Sequence, residues 1–155
     1  MSPPDYPSAT GDATEPFIRT GTELTMKAPS RWLAEATSRR SKTYLYNITW
    51  AFSTKGGQAL GAFHGIDMVL LFQMRAAPWD KSADILAKTM RRYWIRFAET
   101  GDPNTAGLAD WPAYDSTAAS CLELGSRIRS VRGPHEEAFR LINRLYGTEL
   151  NRLTP

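Results

Sequence analysis

The sequence predicts an α/β fold with few strands flanked by helices, and three stretches carry that prediction. Residues 44–52 alternate Tyr44, Tyr46, Ile48, Trp50 and Phe52 with Leu45, Asn47, Thr49 and Ala51, the period of a strand rich in aromatic and β-branched residues. Residues 82–100 place Ile85, Leu86, Met90, Trp94 and Phe97 at helical spacing, with Lys88, Arg91, Arg92 and Arg96 largely opposite. Between them lies Leu60–Phe72, where His64 stands between Gly61 and Gly65 and precedes an apolar run from Met68 to Phe72. The 155 residues suffice for one domain with its own core.

In chain order, residues 1–12 hold three prolines with Ser, Gly and Asp and form an irregular lead-in, leaving 13–155 as the structured part. Thr14-Glu15-Pro16 is a helix start, because proline in the first turn forfeits no hydrogen bond; Phe17, Ile18, Leu24 and Met26 supply its buried side. A second short helix runs from Pro29-Ser30 to about Arg40, with Trp32, Leu33 and Ala36 inward and Glu35 four residues before Arg39. The strand over 44–52 follows, and Ser53–Ala59, with Lys55-Gly56-Gly57-Gln58, reads as a loop. Asp80 or Ser82 caps the long helix, Gly101 closes it and Pro103 prevents its continuation. Residues 104–120 are a connection pinned by Trp111 and Tyr114, and Cys121–Leu124 is a brief strand. Pro134-His135-Glu136-Glu137 opens a terminal helix whose acidic residues suit its positive end, with Phe139, Leu141, Ile142, Leu145 and Tyr146 inward. His135 is a boundary residue there.

Composition removes several function classes. Nineteen Lys plus Arg against sixteen Asp plus Glu leave a net charge of +3, and the basic residues form no stripe interleaved with aromatics, which argues against nucleic-acid binding. Cys121 is the single cysteine, so there is no internal disulfide, and with only His64 and His135 to join it no metal cluster or cofactor is implied. No apolar run approaches the roughly 18 residues of a membrane span, and the start lacks the basic flank and apolar core of a signal peptide. The chain as given is therefore expected to be cytoplasmic, with no membrane association. Lys55-Gly56-Gly57 lacks the spacing and the terminal Lys-Ser or Lys-Thr of a phosphate loop.

His64 is the candidate for chemistry. Gly61 and Gly65 permit tight backbone turns on either side of it, although a histidine beside glycines is by itself more often an ordinary loop residue than a catalyst. Phe63, adjacent to it, is either a substrate-binding pocket residue or packing beneath the loop.

Several spaced features then resemble the carboxyl-terminal part of the type B carboxylesterases, the cholinesterase-like and para-nitrobenzyl-esterase-like branch of the α/β-hydrolases. The carriers are Ala28-Pro29-Ser30-Arg31, Tyr44-Leu45-Tyr46, Leu60-Gly61-Ala62-Phe63-His64-Gly65 with Asp67, the run from Tyr93 to Asn104 and Trp111-Pro112-Ala113-Tyr114. Their order and spacing cover residues from about 26 to 147. The resemblance implies an α/β-hydrolase sheet that is incomplete here, and it carries the role of catalytic-triad base onto His64. A neutral imidazole suits that role because it can take a serine proton near neutral pH and return it to the leaving alcohol.

The same resemblance implies what else is required. In α/β-hydrolases the order is Ser, then Asp or Glu, then His, yet no Gly-x-Ser-x-Gly elbow exists in this chain: the glycine pairs four apart, Gly57/Gly61 and Gly61/Gly65, enclose no serine. Asp67 stands where the family more often has Glu and is read as a carboxylate supporting the turn, since the family's triad acid comes from upstream. Ser41 and Ser53 are ordinary loop serines, and Cys121 a small buried residue. The chain is thus expected to be a fragment of a serine ester hydrolase, inactive alone, that meets a small ester substrate only when an upstream part completes it. The alternative is a non-catalytic interaction module or an inert remnant. An incomplete sheet leaves the strand over 44–52 with an open edge and an exposed aromatic face, so self-association is expected.

Overall fold

A computed structural model describes residues 14–74 and 79–153, with burial and side chains described for 17–74 and 79–146. The irregular lead-in expected over 1–12 lies outside them.

Two helices begin the described chain, α1 (Thr14–Thr22) and α2 (Ala28–Ser38), joined without a break by a π-helical turn, Glu23–Lys27. Pro29 stands in the first turn of α2. A three-stranded sheet follows in the order β1 (Tyr46–Ile48), β2 (Cys121–Leu124), β3 (Ile128–Val131). β1 runs parallel to β2, with Tyr46 opposite Leu122 and Ile48 opposite Leu124; β2 and β3 form an antiparallel hairpin. The crossover from β1 to β2 contains α3 (Lys55–Leu60), α4 (Ile66–Leu71) and the long α5 (Lys81–Thr100), and α6 (Glu136–Leu153) ends the described chain. This is the predicted α/β class, a small sheet flanked by helices.

The main core joins the sheet to α4 and α5: Trp50, Phe52, Ile66, Leu70, Leu86, Met90, Tyr93, Trp111, Leu122 and Leu124 are all buried. Trp111 pins the connection as expected, its indole Nε1 donating to the Leu45 carbonyl at 2.9 Å and its backbone N to Asn104 Oδ1 at 2.7 Å. Asp80 caps α5, accepting from the Ala83 backbone N at 2.9 Å and from the Ser53 and Ser82 hydroxyls. Those hydrogen bonds, Ser53 first, hold its carboxyl at about 2. Gly101 closes the same helix in the left-handed region at φ 73°.

A second, smaller cluster of Ala28, Phe139 and Ile142, with Leu24 and Trp32 beside it, docks α6 on the first helices. Polar groups complete that joint. Arg31 Nη1 donates to Glu136 Oε2 at 2.6 Å and its guanidinium lies 3.8 Å over the Phe139 ring. His135 takes the left-handed φ of 61°, unusual for a residue with a Cβ, and its Nδ1 sits 3.0 Å from Glu23 Oε1.

Several sequence expectations need correction. The strand is three residues rather than nine: β2 pairs only with 46–48, and Trp50 and Phe52 then turn under α4 and α5 as core residues. The aromatic face is not exposed, because Tyr46 packs edge-on against Trp94 at 5.1 Å and against Trp111 at 5.9 Å. Most of the loop expected over 53–59 is helical, α3 beginning at Lys55 after the Thr54 side chain, which accepts from Gly57 N. Gly57 itself is needed there, since a Cβ would fall 2.3 Å from the Phe52 Cβ. The Met68–Phe72 run is helical, so Ile66 and Leu70 turn inward while Met68 and Phe72 face solvent. In α5 the buried stripe is Ala83, Leu86, Ala87, Met90 and Tyr93; Ile85 and Phe97 are exposed. Phe17, Ile18, Met26, Leu33, Leu141, Leu145 and Tyr146 are also exposed rather than inward, while Glu23, Arg31 and Ala34 are buried. β3 was not anticipated, its alternation being only four residues long.

Candidate functional site

The His64 loop is built by two short helices meeting at glycines. α3 ends at Gly61, whose φ of 59° and ψ of −150° suit glycine alone, and α4 begins at Gly65, whose φ is 85°. Neither glycine is required by crowding, since nothing lies within 4 Å of where a Cβ would stand. Their need is conformational, and the outcome is that His64 projects at an exposed position on the turn. Among the described residues, no side chain hydrogen-bonds to it.

Phe63 is half-buried and lies nearly parallel to Phe52, with ring centroids 6.4 Å apart and an interplanar angle of 20°. Phe52 belongs to the core, so Phe63 anchors the loop immediately before His64. Asp67, in the first turn of α4, accepts a hydrogen bond from the Tyr46 hydroxyl at 2.8 Å. Burial, reinforced by that carboxylate, pushes the Tyr46 phenol well above the ordinary tyrosine range, so it remains a donor. Ser53 is occupied with Asp80, and Ser41 Oγ lies 3.5 Å from the Thr37 carbonyl. Cys121 is buried, which raises its thiol to about 12.

Two clefts open elsewhere. One of about 350 Å³ is lined mainly by aromatics, including Tyr44, Tyr46, Trp94, Phe97 and Trp111; the other, of about 280 Å³, lies beside Glu123, Arg127 and Arg129. His64 lines neither. The structure thus brings Phe63, His64 and Asp67 to one turn, with Tyr46 reaching that turn from β1. In the sequence Tyr46 is an aromatic of the alternating strand and part of the Tyr44-Leu45-Tyr46 motif, and neither feature points to its partner Asp67.

A model of the family described as "Carboxylesterase family" matches residues 6–141. This chain belongs to the carboxylesterase family. Among curated proteins, this family member is similar to the para-nitrobenzyl esterase of Bacillus subtilis (strain 168), 28% identical over 130 residues. It is also 27% identical over 118 residues to the liver carboxylesterase of Sus scrofa. A solved PNB esterase superposes with a TM-score of 0.75 at 26% identity over 88% of this chain, and a thermophilic one with 0.72 at 25% over 83%. The α/β-hydrolase character of the fold follows from these neighbours. The matched regions are 79% and 73% of this carboxylesterase-family chain but only 26% and 21% of the Bacillus and Sus scrofa proteins, and 28% and 27% of the two solved chains.

Proposed function

We propose that this chain is the carboxyl-terminal part of a serine carboxylic-ester hydrolase in which His64 is the triad base. The observation that carries the reading is an exposed imidazole on a turn set by two glycines of positive φ, within a chain of the carboxylesterase family. The nucleophilic serine, the triad carboxylate and the oxyanion donors come from the upstream part of a complete body. His64 takes the serine proton as the hydroxyl attacks the ester carbonyl, and returns it to the leaving alcohol; the upstream carboxylate stabilises the imidazolium between those steps. Phe63, beside the base, contributes to the wall that receives a small ester. By itself the chain carries no hydrolytic activity.

β1 is an edge of the sheet, with β2 on its other side. That edge receives the next strand of the completed sheet, and in the isolated chain it pairs with a second copy. Light scattering then reads a species heavier than one chain; a sharp monomer contradicts the pairing. The functional test is co-expression with the upstream part of the para-nitrobenzyl esterase, assayed on an activated short-chain ester. Hydrolysis that needs both pieces and disappears in His64→Ala is the expected result. Turnover by the isolated chain, or co-expressed activity indifferent to His64→Ala, overturns the reading.

A further inference from the structure

We infer that Tyr46 is a positioning residue for His64, acting from β1 through Asp67 on the first turn of α4. The inference rests on the reading of His64 as the base and adds what holds that base in place. α4 has only six residues, and its N-cap, Gly65, provides no side-chain cap. Ile66 and Leu70 bury one side of it, but apolar contact is non-directional and leaves rotation and sliding open. The directional tie is the Tyr46 hydroxyl to Asp67 Oδ2 at 2.8 Å, and among the described residues no other side-chain hydrogen bond links 61–72 to the rest of the chain.

The donor end of that tie is rigid. Tyr46 lies opposite Leu122 in the sheet, and its ring is held edge-on by Trp94 and Trp111. Trp111 is fixed in turn by its hydrogen bond to the Leu45 carbonyl, one residue from Tyr46. The phenol stays protonated because burial disfavours its anion, so the donor persists through the neutral range. Asp67 lies three residues after His64, about one helical turn, so a fixed Asp67 sets the start of α4 and with it the direction in which the Gly65 turn presents the imidazole. A base displaced by about 1 Å loses much of its catalytic effect, which gives this tie a functional consequence beyond stability. Oδ2 of Asp67 being committed to Tyr46 also fits a supporting carboxylate rather than the acid partner of His64.

Native-state amide exchange on the full chain tests the tie directly. Tyr46→Phe should speed exchange at Ile66 and Val69 by about tenfold or more while the amides of β2 and α5 keep their rates. Asp67→Ala should do the same, the double variant should be no worse than either single one, and Asp67→Asn, which keeps a carbonyl oxygen for the phenol, should restore most of the protection. Unchanged rates at Ile66 and Val69, or equal acceleration across β2 and α5, overturn the positioning role. In the co-expressed esterase, Tyr46→Phe should lower kcat about tenfold with KM held, and an unchanged kcat contradicts the proposal. Absence of hydrolysis in the unsubstituted pair counts instead against the reading of His64 as base, and the exchange rates then decide the positioning role alone.

Discussion

The two histidines of this chain stand at similar turns and meet opposite surroundings. Each precedes a helix, His64 before α4 and His135 before α6, and each has a left-handed glycine within two residues, Gly65 in one case and Gly133 in the other. At His135 the ring is consumed. Its side chain is 16% exposed, Nδ1 faces Glu23 Oε1 at 3.0 Å and Nε2 lies 2.9 Å from Lys27 Nζ, so both ring nitrogens meet polar partners within the chain. The π-helical turn makes this possible by presenting Glu23 and Lys27 together, themselves paired at 3.1 Å. At His64 the glycines absorb the unusual backbone angles and the ring is exposed. A histidine becomes a structural joint where its nitrogens are satisfied within the chain, and a candidate base where they are left for groups brought from elsewhere.

The sharpest way to break that contrast is on stability. Glu23→Ala removes the buried partner of both Lys27 and His135 and should cost about 2–3 kcal/mol, whereas His64→Ala should stay within about 0.5 kcal/mol. Denaturant unfolding of both variants measures the difference, and equal losses would erase the distinction. Gly57→Ala comes next. Its Cβ would meet Phe52 Cβ at 2.3 Å and Phe52 O at 2.9 Å, so a loss of about 2 kcal/mol is expected, while Gly56→Ala, with nothing within 4 Å, should be neutral or slightly stabilising. Comparable midpoints for the two would show that α3 yields more readily than its packing implies.

The smallest expected effect is the acid dependence of the α5 cap. Hydrogen bonds from Ser53, Ser82 and the Ala83 backbone lower the Asp80 carboxyl from 3.8 to about 2. A depressed carboxylate stabilises the fold fully above its unfolded value and loses that contribution as pH falls through its folded one, so the window runs from about pH 4 down to about pH 2. Urea midpoints should decline across that window and decline less in Asp80→Asn, which keeps a cap but no titrating charge; above pH 5 the variant should cost about 1 kcal/mol or less. Parallel declines would assign the acid sensitivity elsewhere. Glu23 is one such place: burial alone would raise its carboxyl, yet the His135 hydrogen bond and the Lys27 charge outweigh this and hold it below the ordinary value.

What was legible in the sequence divides along the same line. Local signals read well: Asp80 and Gly101 bound α5 as their chemistry requires, and both glycines around His64 take positive φ. The resemblance to the family, shown by the match over 6–141, supplies what composition could not. Signals that depend on distant partners did not read. Tyr44–Phe52 alternates for nine residues, but strand pairing is limited by β2, seventy-odd positions later. Glu23 and Arg31 carry no local signal of burial, and only the arrival of His135 and Glu136 from the far end of the chain explains it. The Tyr46–Asp67 tie is equally illegible, because a hydrogen bond between a strand and a short helix twenty-one residues apart has no signature in spacing.

The central claim is that His64 alone of the two histidines is a base, and it is tested most directly by grafting this chain onto the upstream part of the Bacillus para-nitrobenzyl esterase and measuring ester hydrolysis. The account predicts that His64→Ala lowers kcat by at least about a thousandfold without changing the unfolding temperature, while His135→Ala lowers the unfolding temperature and, below it, leaves kcat within about threefold. A His64→Ala chimera that keeps its rate, or a folded His135→Ala chimera that loses it equally, would contradict the claim.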